Sequence, residues 1–175
     1  MTLKYIPLML LVVVISFIIH EGAHYAMGVA LGYDMQVSIN KAGLASGSYT
    51  SSLHQQLVSI AGPVVTFLIA AIALWLAYTR KIKAAFLFVF SGFLMRLMAA
   101  GVSVANPNDE ARVSEALGWS MWALPGIVVG ALFVMSLLAS RTLGLGWKSW
   151  ALTWVVMSVG IVGIIFTEPY WPVVG

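Results

Sequence analysis

Five long apolar runs dominate this chain, near Tyr5–Leu31, Leu57–Tyr78, Ala84–Val104, Trp119–Ala139 and Trp150–Phe166. A helix of about 20 mostly apolar residues crosses the hydrocarbon core of a bilayer. Lipid offers no partner to a free backbone N–H or C=O, so a run of this length must satisfy itself as an α-helix. Hydrophobic residues make up 61% of the 175 residues and charged residues 9%. A soluble domain carries about 25% charged residues, and one of this size could not bury so much apolar surface within itself. The expectation is an all-α membrane protein, a polytopic bundle of about five transmembrane helices in a single domain over residues 1–175. The first run exceeds the roughly 7–15 residues of a signal-peptide core, so it is read as a retained helix. The partner that composition predicts is the lipid bilayer; nucleic acid is not expected.

Charge alternates between the connecting segments. Lys4, Arg80, Lys81, Lys83, Arg141 and Lys148 fall on one side, while Lys41, Arg112, Asp34, Asp109, Glu110, Glu115 and Glu168 fall on the other. Positive residues favour the cytoplasmic side, which predicts a cytoplasmic N-terminus and an external C-terminus. Trp119, Trp122, Trp147, Trp150 and Trp171 lie near the ends of the runs, as interfacial anchors do. The patterns Gly28–Gly32 and Gly126–Gly130 are of the small-xxx-small type that lets helices approach closely. Met35 to Asn40 alternates apolar and polar residues, the period of a strand. With a turn at Lys41–Gly43 and a return over Leu44–Thr50, this is either a small β-ribbon after the first helix or a flexible polar loop.

The chemistry concentrates at His20-Glu21-Gly22-Ala23-His24, an H-E-x-x-H pattern inside the first apolar run. Residues four apart on a helix share a face, so both imidazoles can address one metal ion. Glu21 is a neighbouring carboxylate able to take a proton from water that zinc acidifies. Ionisable groups within a span are costly without a role; the competing reading is a polar patch used for helix packing. There are no cysteines, so thiolate sites are excluded and any metal must be held by His, Asp or Glu.

A catalytic zinc site usually has three protein ligands and one open position. The first and third runs travel in the same direction, so the end of the third run lies toward the same face as the H-E-x-x-H pattern. Asp109 in Asn106-Pro107-Asn108-Asp109-Glu110 is the first candidate for the third ligand and Glu110 the second, against the alternative of a solvated acidic loop. His54 is a third-ligand or transition-state candidate, or a loop histidine without a role. Arg96, inside the third run, is expected to pair with a site carboxylate, to polarise a substrate carbonyl, or to snorkel toward the interface.

These motifs resemble the site-2 protease family of intramembrane zinc proteases. His20-Glu21-Gly22-Ala23-His24 in a transmembrane helix, Ala61-Gly62-Pro63 opening a later one, and an Asn106-Pro107 segment ending in Asp109 carry the resemblance, which covers about residues 1–110. It implies a metalloprotease-like core over that region, with additional helices over about 119–166. It also implies zinc held by His20, His24 and Asp109, Glu21 as general base, and an edge strand that holds an unwound substrate. The chain departs from the pattern in placing Asn106 and Pro107 side by side, in Glu110 after Asp109, and in Thr66 three residues beyond Pro63. The family's site usually faces the cytosol, whereas the charge distribution here places it toward the outside. The reaction implied is peptide hydrolysis in a membrane-embedded substrate. The alternative is a non-proteolytic metal-binding or scaffold relative acting as a membrane chaperone or regulator.

Overall fold

A computed structural model describes all 175 residues. The chain runs through α1 (Ile6–Ala30), β1 (Met35–Val37), β2 (Ala42–Leu44), α2 (Ser52–Arg80), α3 (Ala85–Val102), α4 (Asp109–Ala116), α5 (Ala123–Thr142) and α6 (Trp147–Thr167), with short 3-10 turns at Leu3–Tyr5 and Glu168–Tyr170. All but α4 of these helices are long and apolar enough to cross a membrane. Their bounds differ from the sequence reading where polar residues flank the apolar runs. Helix α2 begins at Ser52 rather than near Leu57, because Ser51 caps it by accepting the His54 N–H at 3.2 Å. Helix α5 begins at Ala123 rather than Trp119, because α4 and its terminating turn at Gly118 (φ 74°) occupy the preceding residues.

Helix α3 is the most buried of the five long helices. Phe86, Leu87, Phe90 and Leu94 lie at its packed centre, and α2 and α5 lean on it. The outer faces of the other long helices expose Leu11, Ile72, Ile127, Val155 and Phe166, a surface suited to hydrocarbon. Trp147, Trp119 and Trp122 are exposed near helix ends, but Trp150 is not an anchor. Its ring packs on Phe86 and Phe90 and its Nε1–H donates to Ser140 Oγ at 2.7 Å. The glycine patterns do not join helices within the chain. A β-carbon at Gly126 or Gly130 would meet nothing within 4 Å, and Gly28 faces Met35 of β1.

The ribbon forms, with an earlier return than the sequence suggested. Met35, Gln36 and Val37 pair antiparallel with Leu44, Gly43 and Ala42, so the turn is Ser38–Lys41 and residues 45–50 are not strand. A lone hairpin is marginal; this one packs on α1. Its β1 edge is covered by the chain's own C-terminal segment: Val37 N–H donates to the Val174 carbonyl at 2.8 Å, and Val174 N–H donates back at 2.9 Å.

Helix α4 replaces what reads as an acidic loop. Ser103 Oγ accepts the Asn108 N–H at 3.0 Å, and Asn108 Oδ1 accepts the Ala111 N–H at 2.8 Å. Asp109 and Glu110 fall in the first turn, where carboxylates complement the helix dipole. The turn lies against α2.

Candidate metal centre

His20, Glu21 and His24 lie in the second half of α1, and all three are buried. The two histidines stand one turn apart and face α2. That helix approaches closely because position 62 is glycine. A β-carbon there would lie 2.7 Å from His20 Nε2 and closer still to His24 Nε2. Pro63, inside α2 rather than at its opening, has no N–H for the Ser59 carbonyl and loosens that turn. The neighbouring Val58 carbonyl accepts a hydrogen bond from His24 Nδ1 at 2.6 Å. Thr66, one turn further along α2, has its hydroxyl 2.9 Å from His20 Nδ1.

These contacts assign the protons. A carbonyl only accepts, so His24 carries a proton on Nδ1, and the neutral ring presents its lone pair at Nε2. Arg96 Nη2 lies 3.3 Å from His20 Nε2. A guanidinium only donates, so His20 also carries its lone pair on Nε2. The two Nε2 atoms are 3.2 Å apart, with Asp109 Oδ2 3.3 Å from one and 3.4 Å from the other. Two lone pairs and a carboxylate oxygen thus converge on one point, an arrangement that calls for a cation between them. Three ligand atoms about 2.0–2.1 Å from a tetrahedral zinc ion would be about 3.3 Å from one another. The triangle in the structure has those edges, so the residues present fit a metal ion of this class. Both imidazoles have their second nitrogen held, as metal-ligating histidines do.

Asp109 is carried into the triangle by the first turn of α4. Its Oδ1 accepts from Arg112 Nη2 at 2.7 Å, and its Oδ2 lies 3.3 Å from Arg96 Nη1. Glu110 does not join the triangle. It points the other way, fully buried, with both carboxylate oxygens 3.1–3.2 Å from Arg96 Nη1. Arg96 therefore does not snorkel; it is a buried counter-ion of α4. His54 is turned away from the triangle, with Nδ1 2.8 Å from the Tyr33 hydroxyl and 3.5 Å from Thr50 Oγ1. It holds the loop before α2.

Glu21 lines a cavity of about 450 Å³ together with His20, Arg96, Asn106, Asp109 and Arg112, opposite an apolar wall that includes Phe17, Met95 and Ile161. Asn106 is part of this lining and makes no hydrogen bond to His20, His24 or Asp109. Strand β2 lies against α1, with Ala42 near the Glu21 carboxylate, which brings the β2 edge of the ribbon to the site. Strand backbones alternate. Gln36–Gly43, Ser38–Lys41 and Asp34–Ala45 pair inside the ribbon, so the N–H and C=O groups of Ala42 and Leu44 face outward on this edge, where the Leu44 carbonyl accepts from Gln36 Nε2 at 3.4 Å. The roles of Thr66, Val58, Arg112 and Ala42 carry no local pattern in the sequence. Gly62 does carry one, the Gly-Pro pair, without the reason for it.

No family model matches this chain, and neither the curated proteins nor the solved structures provide a match.

Proposed function

We propose that this chain is a multi-pass membrane hydrolase of the site-2 protease kind, using zinc held by His20, His24 and Asp109 to cleave peptide bonds of membrane-embedded substrates. The observation that carries the reading is the convergence of two imidazole lone pairs and a carboxylate oxygen beside Glu21, on the wall of an open cavity. When bound, zinc supplies Lewis-acid polarisation of a carbonyl and acidifies water. The chain's own groups do the rest. Glu21 takes one proton as the water oxygen bonds to the carbonyl carbon and the carbonyl electron pair moves onto its oxygen. As that pair returns and the C–N bond breaks, Glu21 delivers the proton to the departing nitrogen, leaving a carboxylic acid and an amine. The apolar wall of the cavity suits a hydrophobic segment. The outer edge of β2 offers an extended peptide the backbone partners it loses on unwinding.

The charge distribution supports a cytoplasmic N-terminus, with the site toward the outer face. A carboxylate held beside the triangle but outside it, as Glu21 is, favours hydrolysis over a purely structural metal site. The test is metal content and peptide cleavage of purified wild type beside His20→Ala, Asp109→Ala and Glu21→Gln. One zinc in wild type, lost in the first two variants, with cleavage lost but zinc retained in Glu21→Gln, is the expected pattern. Zinc-replete protein that cleaves no membrane peptide, in a cell where deleting the gene destabilises another membrane protein, would favour the chaperone or regulator reading.

A further inference from the structure

Arg96 is the only ionisable residue of α3, the most buried long helix, and is itself 5% exposed. Its guanidinium has five N–H donors. Nη1 serves Glu110 and Asp109, Nη2 has His20 Nε2 as its one partner, and the Nε donor is buried with none. The same side chain lines the cavity that Glu21 lines. An imidazole nitrogen has one lone pair, so His20 Nε2 cannot accept from Arg96 and bind a metal ion at the same time. Arg96 Nη1 likewise lies on Asp109 Oδ2, the carboxylate oxygen of the triangle.

We propose that Arg96 is an exchangeable counter-cation: it holds the lone pairs of His20 and Asp109 before metal loading, and metal binding shifts it onto Glu110 and frees its Nη2 and Nε donors to bind the oxygen of a substrate carbonyl. This inference rests on the proposed hydrolase reading for the identity of that oxygen, and on geometry alone for the exchange. Two features of the site fit it. Glu110 is buried with no partner except Arg96, which gives the guanidinium an anchor when it leaves the ligands. Freed N–H groups on a buried side chain have an unmet demand for an acceptor, and it is greatest for one that gains negative charge as a carbonyl does when water adds. The group is a fork of donors, a geometry that lysine cannot reproduce.

The test compares full-length wild type with the double variant Arg96→Leu/Glu110→Gln, which removes the exchange partner without leaving a buried unpaired charge. Zinc affinity is measured by competition with a chelating dye, and kcat and KM on a transmembrane peptide that wild type cleaves. The expected result is zinc bound about tenfold tighter or more, since a competing cation is gone, with kcat lower by about 10²–10³-fold. Unchanged or weaker zinc binding, or unchanged kcat, overturns the proposal; a purely structural role for the pair would weaken zinc binding along with stability. If wild type cleaves no peptide, the hydrolase reading fails, and the zinc titration alone decides the exchange. Should the double variant not fold, arginine-15N-labelled wild type replaces it. NOEs from the Arg96 side-chain N–H groups to the His20 ring are lost on adding zinc while those to Glu110 persist if the exchange occurs, and unchanged NOEs to His20 overturn the proposal.

Discussion

Replacing Gly62 with alanine adds one methyl group at the point where α2 crosses the two histidines. The added carbon would lie 2.7 Å from His20 Nε2 and nearer to His24 Nε2. Ordinary non-bonded contacts need about 3.5 Å, and His20 Cε1 would be at 2.5 Å, so both imidazoles must retreat by about 1 Å. Metal–ligand distances tolerate about 0.2 Å. Both rings have their Nδ1 atoms held by α2 itself, through Thr66 and Val58, so they cannot retreat without losing those bonds. The expected loss of zinc affinity is about 10²-fold or more, equivalent to about 2.7 kcal/mol. Folding should suffer less. Alanine gains about 1 kcal/mol over glycine in a helix, against about 1–3 kcal/mol for overpacking, and a metal-free site lets the rings turn aside. The assay is a zinc titration of detergent-solubilised, metal-stripped protein against a chelating dye, with thermal unfolding of the metal-free form alongside. Gly126→Ala is the control, because a β-carbon there meets nothing within 4 Å. A Gly62→Ala protein that binds zinc as tightly as wild type would refute the claim that this glycine exists to admit the histidines.

Thr66→Val keeps the side-chain shape and removes the partner of His20 Nδ1, so zinc affinity should fall about 10–100-fold in the same titration; no change would remove Thr66 from the support of the site. The basic segment between α2 and α3 should be cytoplasmic. Since the chain has no cysteine, Ile82→Cys can be labelled directly, and modification from outside intact cells would reverse the orientation proposed here. Deleting residues 172–175 removes the partner of Val37, so the Val37 amide should exchange its hydrogen markedly faster while zinc affinity stays unchanged; an unaltered exchange rate would mean the tail is not paired there in solution.

The long helices were legible in the sequence because length and apolar content are local properties and lipid admits few alternatives to a helix. The His20–His24 pair was legible for the same reason: spacing along one helix places both rings on one face whatever surrounds it. Residue spacing could not choose between Asp109 and Glu110. They are neighbours on the first turn of α4, about 100° apart around its axis, and only the docking of that helix against α2 sends one to the histidines and the other to Arg96. The sequence read α4 as loop because eight residues are too few to hold a helix by propensity alone, although Ala111, Arg112, Glu115 and Ala116 favour one. Capping by Asn108, a bond from Ser103 and contact with the bundle supply what propensity does not. The turn of the ribbon, the C-terminal strand on its edge, the inward face of Trp150 and the retreat of His54 were equally decided by partners distant in the chain. Such contacts leave no periodicity behind, since each depends on which surfaces the helices bring together once they pack.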